Sequence, residues 1–387
     1  METEWTTVQG TLLIAKHFDK SNATTSPTLR KVKVAAFDLD STLVNTKSGS
    51  LHAKDEADWE WWHDSVPSKL LETYSKGYRI VVLTNQGRLT DPYGNEAPEA
   101  RLFKSKAEAI FQELHLPIDL YAACANDNYR KPRIGAWEHL VDSVRAGGDE
   151  VDLTQSYLVG DAAGRPQDHT DSDRHFTMNA GIGFHTPEEF FLGEPPETLG
   201  HKFDPAWYQN RDGKSMKAIA SPESGEKLVL VLIGPPGAGK TTYYLRFLQP
   251  LGFQRISQFG LGSMRSCMRS AEESISKGKS IVIDDTNSDE ATRRKWIAFA
   301  KKHESRILAV HFTTHPDLCL HNDAVRAFGG EKMNWEDRPV SPRIPFKMLV
   351  AQFQEPQVSE GFDEIIKLDF HWTGTAEELS VWQKYWI

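Results

Sequence analysis

The stretch Lys33–Leu43, "KVAAFDLDSTL", places two aspartates one residue apart directly after an apolar run. The apolar run predicts a buried strand, and the polar residues from Asp38 onward mark its carboxyl end. Side chains at positions i and i+2 of an extended segment point to the same side, so Asp38 and Asp40 can face one ligand. A carboxylate pair so placed can hold a divalent cation and attack a phosphoryl group, which predicts phosphoryl-transfer chemistry.

A second stretch, "VLVLIGPPGAGKTT" from Val229 to Thr242, also leads from an apolar strand into an unusual loop. It satisfies the pattern G-x-x-x-x-G-K-[ST] between a predicted strand and a predicted helix, which is the context of a phosphate-binding P-loop. We predict that backbone N–H groups and Lys240 bind the phosphates of ATP, and that the Thr241 hydroxyl ligates Mg²⁺. The predicted cofactor-binding residues are Gly234, Gly237, Gly239, Lys240, Thr241 and Thr242.

Apolar strands alternate with helical patterns on both sides of a segment rich in Pro, Gly and charge. This alternation predicts an α/β protein with two doubly wound parallel-sheet domains. We expect an N-terminal arm over residues 1–29 with one short strand at most, a first domain over 30–200, a linker over 201–225 and a second domain over 226–387. Ligands of open α/β sheets bind at the carboxyl ends of strands, where both motifs fall.

The composition narrows the classes of protein that this chain can belong to. Three cysteines without paired spacing argue against a disulfide framework or a zinc site. No apolar run approaches the roughly 18 to 20 residues of a membrane span, and "METEWTTVQG" does not resemble a signal peptide, so we expect no membrane partner. The net charge of -9 disfavours general affinity for nucleic acids but allows a local basic groove. We expect a monomer.

Polar groups also follow other predicted strands of the first domain. "VVLTNQ" ends a strand with Thr84 and Asn85, whose hydroxyl and amide can bind phosphate oxygens. "YRKP" contributes Lys131, a positive charge for a developing anion, and "YLVGDAAGR" ends a strand with Asp161, a further carboxylate for Mg²⁺. The sequence therefore predicts one phosphate and metal site at this edge of the first sheet.

The order of these motifs resembles that of haloacid dehalogenase-type phosphohydrolases. "AFDLDSTL", "GYRIVVLTNQ", "YRKPRIGAWEHL" and "YLVGDAAGRP" together resemble the 3'-phosphatase domain of the polynucleotide kinase 3'-phosphatase family. The P-loop stretch, "IVIDDTN" and "HNDAVR" resemble the 5'-kinase domain of the same family. The resemblance extends from Lys31 to the C terminus, and we expect no forkhead-associated module before Lys31.

The resemblance implies a role for each matched residue of the first domain. Asp38 would be the nucleophile that forms an aspartyl-phosphate, and Asp40 would be the general acid and base. Thr84 and Lys131 would hold the phosphate. Mg²⁺ would be bound by Asp38, by the carbonyl of Asp40 and by Asp161.

Four further positions follow from the same resemblance. Asp173 matches an acidic family position near the metal, although capping of a helix is an alternative role for it. Asp284, Asp285 and Arg326 are the candidates for the kinase site, with Arg326 at the place of a lid arginine.

One position departs from the family pattern. The family motif, roughly "RDTLGS", carries an aspartate that accepts the proton of the DNA 5'-hydroxyl, whereas this chain reads "QFGLGS" with Phe259 at that place. No aspartate occurs between Thr241 and Ile283. A positioned general base contributes about 10² to 10⁴ in rate, so we predict a weakened or inactive kinase. Asp284 or Asp285 as a replacement base remains open at this point.

These observations predict a DNA-end repair enzyme that removes 3'-phosphates from strand breaks and carries an ATP-binding kinase domain. Two alternatives remain. One is a fully bifunctional 5'-kinase and 3'-phosphatase that also acts on 5'-hydroxyl ends. The other is a small-molecule phosphatase fused to a metabolite kinase or nucleotide-binding scaffold, which shares the folds but not the substrate. A nuclear location is expected from the presumed DNA substrate.

Overall fold

The computed structural model describes residues 1–18, 29–91, 95–209 and 226–387. The chain divides into two compact units, one of residues 1–202 with 385–387 and one of residues 203–384. Each unit contains a sheet of mainly parallel strands with helices between them, so the predicted α/β class is confirmed. No helix in these ranges is both long enough and apolar enough to span a membrane.

The described residues of the first unit contain ten strands, and eight of them form one sheet. Its strands are β1 (Glu2–Val8), β2 (Leu12–Phe18), β3 (Lys31–Phe37), β4 (Val44–Asn45), β5 (Glu60–Trp61), β6 (Tyr78–Asn85), β7 (Ile118–Ala123), β8 (Glu150–Val151), β9 (Tyr157–Val159) and β10 (Gly183–His185). Its helices are α1 (Val66–Ser75), α2 (Pro98–Leu114), α3 (Gly135–Ala146) and α4 (Ser172–Ala180), followed by a π-helical segment at Glu188–Leu192. The sheet order is β1-β2-β7-β6-β3-β9-β10, with β8 beside β3, while β4 and β5 form a separate pair.

β3 lies inside this sheet, and its side chains enter two hydrophobic cores. Ala35 and Phe37 belong to one core, and Val34 and Ala36 belong to the other. Helices cover both faces of a parallel sheet, which explains why the strand reads as a continuous apolar run. β3 pairs in parallel with β6 and β9, so the carboxyl ends of the three strands lie at one edge.

The prediction of an N-terminal arm was wrong. β1 and β2 form an antiparallel hairpin, and β2 pairs antiparallel with β7, so residues 2–18 belong to the sheet. Gln9 and Gly10 both have positive φ, and Thr11 N–H donates to the Val8 carbonyl, as in a tight hairpin turn of type I′. The sequence "ETEWTTV" lacked the regular alternation of apolar and polar residues that marks a strand.

The second unit contains a five-stranded parallel sheet in the order β12-β13-β11-β14-β15. Its strands are β11 (Leu228–Ile233), β12 (Gln254–Ile256), β13 (Ile281–Asp284), β14 (Arg306–Phe312) and β15 (Glu364–Leu368). Its helices are α5 (Ala206–Gln209), α6 (Lys240–Tyr243), α7 (Gln258–Leu261), α8 (Met264–Ser276), α9 (Glu290–Lys302), α10 (Pro316–Phe328), α11 (Arg343–Ala351) and α12 (Ala376–Trp382). A π-helical segment follows α6 at Tyr244–Leu248, and a 3-10 turn covers Val358–Glu360.

The boundary between the two units lies after residue 202, so the prediction of a linker over residues 201–225 does not match the structure. Residues 203–209 belong to the second unit and include α5, while residues 210–225 lie outside the described part of the chain. Residues 385–387 group with the first unit rather than with the second domain predicted for 226–387.

Candidate active site

The predicted phosphatase residues lie at the carboxyl edge of the first sheet. Asp38 and Asp40 follow β3, Thr84 is the penultimate residue of β6, and Asp161 lies two residues after β9. Lys131 comes from the segment between β7 and α3 and reaches the same edge. The order of strands β6, β3 and β9 thus brings together groups that are far apart in the sequence.

Lys131 is the buried cation of this site. Its Nζ donates to Asp38 Oδ1 over 2.8 Å and to the Leu83 carbonyl over 2.7 Å, and it lies 2.7 Å from Asp173 Oδ1. Burial alone would lower the pKa of Lys131, but the carboxylates of Asp173 and Asp38 outweigh burial and raise it. Lys131 therefore stays charged and holds both carboxylates in place.

Replacing Lys131 is expected to destabilise the first unit as well as its chemistry. Lys131→Met leaves Asp38 and Asp173 without their cation, and breaking a buried ion pair on one side costs about 3 to 5 kcal/mol. The free energy of unfolding in urea measures this loss. Lys76→Met is the control, because Lys76 is exposed, pairs with Glu72 on the surface and should contribute less than about 1 kcal/mol. Equal stability of the two variants would contradict the role of Lys131 as the buried cation that pairs with Asp38 and Asp173.

Asp40 is oriented by two groups that sequence reasoning missed. Lys106 Nζ on α2 donates to Asp40 Oδ1 over 3.0 Å, and Gln86 Nε2 donates to Asp40 Oδ2 over 2.7 Å. Gln86 also donates to the Thr84 hydroxyl over 3.0 Å. Gln86 is the last residue of the quoted "VVLTNQ" motif and could have been assigned to the site from it. Lys106 lies in an ordinary amphipathic helix pattern, and nothing in that pattern indicates a residue of the site.

Three carboxylates form a candidate metal centre. One oxygen from each of Asp38, Asp161 and Asp173 lies within 4.8 Å of the others. Burial and the neighbouring carboxylates raise the pKa of Asp38 to about 8 although Lys131 opposes this, and burial and Asp173 raise the pKa of Asp161 to about 6. Crowded carboxylate oxygens are the ligands that Mg²⁺ prefers, so this donor set fits the predicted ion.

Asp173 lies in the first turn of α4, but Asp171 takes the N-cap position. Asp173 Oδ2 instead accepts the Ala162 N–H over 3.2 Å. A Cβ at Gly160 would overlap the same oxygen, so this close approach requires glycine. The contacts of Asp173 favour a role in the site over the alternative of helix capping.

The predicted P-loop lies between β11 and α6 in the second unit. Gly234, Gly237 and Gly239 have φ of 153°, 77° and 99°, conformations that favour glycine. Lys240 Nζ donates to the carbonyls of Gly234 and Pro235 over 2.7 and 2.8 Å. The loop borders a cavity of about 450 Å³ whose lining also includes Thr241, Thr242, Asp284, Asp285 and Arg326.

The kinase candidates differ in their surroundings. Asp284 Oδ2 accepts the Thr241 hydroxyl over 2.8 Å and the Nε of Arg255 over 2.7 Å. Asp285 accepts the backbone N–H of Gln258 over 3.1 Å, and burial raises its pKa to about 6. Arg326, on α10, donates to Asp323 and lines the cavity from outside the P-loop. Sequence reasoning did not identify Arg255.

Phe259 occupies the position that the family motif gives to the proton acceptor. It lies in the short helix α7, and its side chain is 54 % exposed. The guanidinium of Arg338 stands 4.3 Å from the centre of its ring, a cation–π contact. The ring offers no acceptor for a hydroxyl proton.

Comparisons with known proteins match both units. A family model described as polynucleotide kinase 3 phosphatase matches residues 33–191, and one described as an AAA domain matches residues 262–339. The bifunctional polynucleotide phosphatase/kinase of Schizosaccharomyces pombe is 36% identical over 374 residues, which cover 96% of this chain and 85% of that protein. The putative bifunctional polynucleotide phosphatase/kinase of Acanthamoeba polyphaga mimivirus is 29% identical over 91% of this chain and 88% of its own. The polynucleotide 3'-phosphatase ZDP of Arabidopsis thaliana is 33% identical over 41% of this chain and 24% of its own.

Proposed function

The chain belongs to the bifunctional polynucleotide phosphatase/kinase family, and we propose on that basis that it removes 3'-phosphates from the ends of broken DNA strands. It is a polynucleotide 3'-phosphatase with a P-loop kinase domain. The observation that carries the proposal is the Asp38 carboxylate, which the buried Lys131 holds at the end of β3 beside Asp161. We further propose a monomer that acts in the nucleus, where the DNA substrate is found.

The site supports a two-step transfer. Asp38 Oδ attacks the phosphorus, and the bond from phosphorus to the 3'-oxygen breaks as Asp40 protonates that oxygen. Asp40 then removes a proton from a water molecule, which attacks the aspartyl-phosphate and restores Asp38. Lys131 holds Asp38 and faces the phosphate charge, while the Thr84 hydroxyl, which accepts from Gln86, can donate its own proton to a phosphate oxygen.

We propose that the crowded carboxylates of the first unit would hold Mg²⁺. Asp38, Asp161 and the Asp40 carbonyl would be its protein ligands, with Asp173 beside them. Bound Mg²⁺ would offset the repulsion between the Asp38 carboxylate and an anionic phosphate. Hydrogen bonds from Lys106 and Gln86 keep Asp40 oriented at the same time, which suits the role of Asp40 as the acid that protonates the leaving oxygen.

The raised pKa values of Asp38 and Asp161 predict how pH and magnesium act on stability. Between about pH 4 and pH 8 the folded chain binds more protons at these groups than the unfolded chain, so their contribution to stability falls as pH rises. In EDTA, we expect the free energy of unfolding to fall by about 2 kcal/mol from pH 6 to pH 8. Mg²⁺ competes with these protons and should therefore raise the melting temperature more at pH 8 than at pH 6.

Thermal melts of the full chain at both pH values, with EDTA or with Mg²⁺, measure this effect. Asp38→Asn is the matched variant, because it removes the group whose pKa is raised furthest, and its stability should change less with pH. An equal gain from Mg²⁺ at pH 6 and pH 8 would show that these carboxylates do not bind the ion in the way proposed.

The second unit is proposed to bind ATP and to phosphorylate 5'-hydroxyls weakly or not at all. The P-loop glycines, Lys240 and the cavity support nucleotide binding. Phe259 supports the loss of phosphorylation, because its ring cannot take a proton from a 5'-hydroxyl. Asp285 accepts a hydrogen bond from the backbone N–H of Gln258, the first residue of α7, and is the group that would act as the base if the kinase works.

One oligonucleotide with a 5'-hydroxyl and a 3'-phosphate tests the proposal. It is incubated with the protein, Mg²⁺ and ATP, and both ends are followed by mass. Loss of the 3'-phosphate without gain at the 5'-end is expected. Gain at the 5'-end would support the bifunctional alternative, and faster hydrolysis of sugar phosphates than of the DNA 3'-phosphate would support the small-molecule alternative.

A further inference from the structure

The carboxylate of Asp284 is already neutralised by a neighbouring arginine. Its side chain is 1% exposed at the end of β13, where its Oδ2 accepts hydrogen bonds from Thr241 Oγ1 over 2.8 Å and from Arg255 Nε over 2.7 Å. In P-loop enzymes, a hydroxyl on the loop and a strand-end acid are the groups that hold Mg²⁺. In this chain the guanidinium of Arg255 contacts Asp284, which is the acid of that pair.

Arg255 is held in this position from a second side. Its Nη1 donates to Glu336 Oε1 over 2.6 Å, and Glu336 Oε2 lies 2.6 Å from Nη2 of Arg338. Arg338 in turn stacks on Phe259. A continuous set of contacts therefore joins the Phe259 ring to the acid Asp284. A magnesium ion at Asp284 Oδ2 would have to displace a guanidinium that two carboxylates bind, at the cost of leaving that partly buried cation with Glu336 alone.

Two cationic N–H groups at the cavity lack hydrogen-bond acceptors among the described residues. These are the buried Nη1 of Arg326 and the buried Nε of Arg338. Arg326, Arg338 and Lys240 line the cavity. Buried donors without acceptors are costly, and phosphate oxygens are the acceptors that a P-loop cavity brings to them.

We propose that the second unit binds a nucleoside triphosphate without a divalent cation, because Arg255 takes the place of that cation at Asp284. This inference rests on the proposed function only in that the P-loop binds nucleotide. Lys240 and the arginines supply positive charge to the phosphates, and Asp284 serves to hold Arg255. Nucleotide binding in this unit then does not require the metal, whereas phosphoryl transfer, which P-loop enzymes carry out with Mg²⁺, is slow but can still gain from a general base.

The first test measures the affinity of the full chain for a fluorescent ATP analogue, methylanthraniloyl-ATP, in Mg²⁺ and in EDTA. We expect the two dissociation constants to lie within about threefold of each other. The corresponding difference in binding free energy is smaller than the contribution of one charge-assisted hydrogen bond. A loss of affinity of about tenfold or more in EDTA would overturn the inference. Lys240→Ala should weaken binding in both buffers, and unchanged binding in that variant would also overturn it, because the analogue would then lie outside the P-loop.

The second test changes the arginine itself. Arg255→Gln keeps a polar side chain but removes the charge, so we expect affinity in EDTA to fall by about tenfold or more and Mg²⁺ to restore most of it. Arg255→Lys keeps the charge and should keep binding in EDTA closer to that of the unchanged chain. Arg294→Gln is the control, because Arg294 is 70% exposed and pairs with Glu290 on the surface of the same unit. Binding by Arg255→Gln that is as strong in EDTA as in Mg²⁺ would contradict the role of Arg255.

Circular dichroism checks that each variant is folded. If Arg255→Gln does not fold, the comparison of the unchanged chain in Mg²⁺ and EDTA decides alone. The outcome is also distinct from the test of the proposed function. Strong dependence of nucleotide binding on Mg²⁺ would overturn this inference and leave the 3'-phosphatase intact, whereas an absence of 3'-phosphate release would overturn the function and leave the binding result standing.

Discussion

Asp38→Asn is expected to lower the release of 3'-phosphate from DNA by about 10⁴-fold or more, as the loss of a catalytic nucleophile does in other enzymes. An amide of the same shape cannot form the aspartyl-phosphate, while Lys131 remains beside Asp173 and the backbone is unchanged. Single-turnover release of phosphate from a 3'-phosphorylated oligonucleotide measures the effect. Binding of the oligonucleotide should change far less than the rate.

The matched control for this variant is Asp142→Asn. Asp142 lies on α3 of the same unit, is 71% exposed and pairs with Arg145 on the surface, so its loss should leave the rate within about twofold. Both variants should melt cooperatively near the temperature of the unchanged chain. If Asp38→Asn kept a tenth or more of the activity, another group would have to be the nucleophile, and the assignment of Asp38 would fail.

Phe259→Asp is expected to raise 5'-phosphorylation of DNA by about 10² or more, because a positioned general base contributes about 10² to 10⁴ in rate. The new carboxylate would lie on α7 beside Arg338, which lines the cavity that the P-loop borders. Transfer of radioactive phosphate from ATP to a 5'-hydroxyl oligonucleotide measures the gain. The 3'-phosphatase rate should not change, since Phe259 belongs to the other unit.

Two further variants separate the base from the metal. Phe259→Asn has nearly the same shape as Phe259→Asp but cannot accept a proton at neutral pH, so it should show no gain. Adding Arg255→Gln to Phe259→Asp frees Asp284 for Mg²⁺ and should raise the rate above that of the single variant. If neither the single nor the double variant phosphorylated DNA, a missing base at Phe259 would not explain the weak kinase.

Features that are local in the sequence could be predicted, and features that depend on distant contacts could not. The strand before Asp38, the strand that ends at Asn85 and the P-loop are each contained in a short run of residues, and all three lie where the pattern placed them. β1 was missed because an edge strand buries few side chains and therefore shows little alternation of apolar and polar residues in its sequence. Lys106 and Arg255 were missed because only the packing of α2 and β12 brings them to the two aspartates they contact.

The hairpin of β1 and β2 covers one edge of the sheet in the first unit. All six residues of β7 are buried, and the hairpin covers its outer side through β2. Among the described residues, β1 is therefore the edge strand on this side of the sheet, and its residues are mostly alternately exposed and half-buried. An apolar strand with unpaired backbone groups is a template for pairing with another chain, whereas a short polar edge is a poor one. The first eighteen residues thus cover β7 and give this side of the sheet a polar edge, and we expect a chain shortened to begin at Lys31 to expose the apolar edge of β7 and to self-associate more readily.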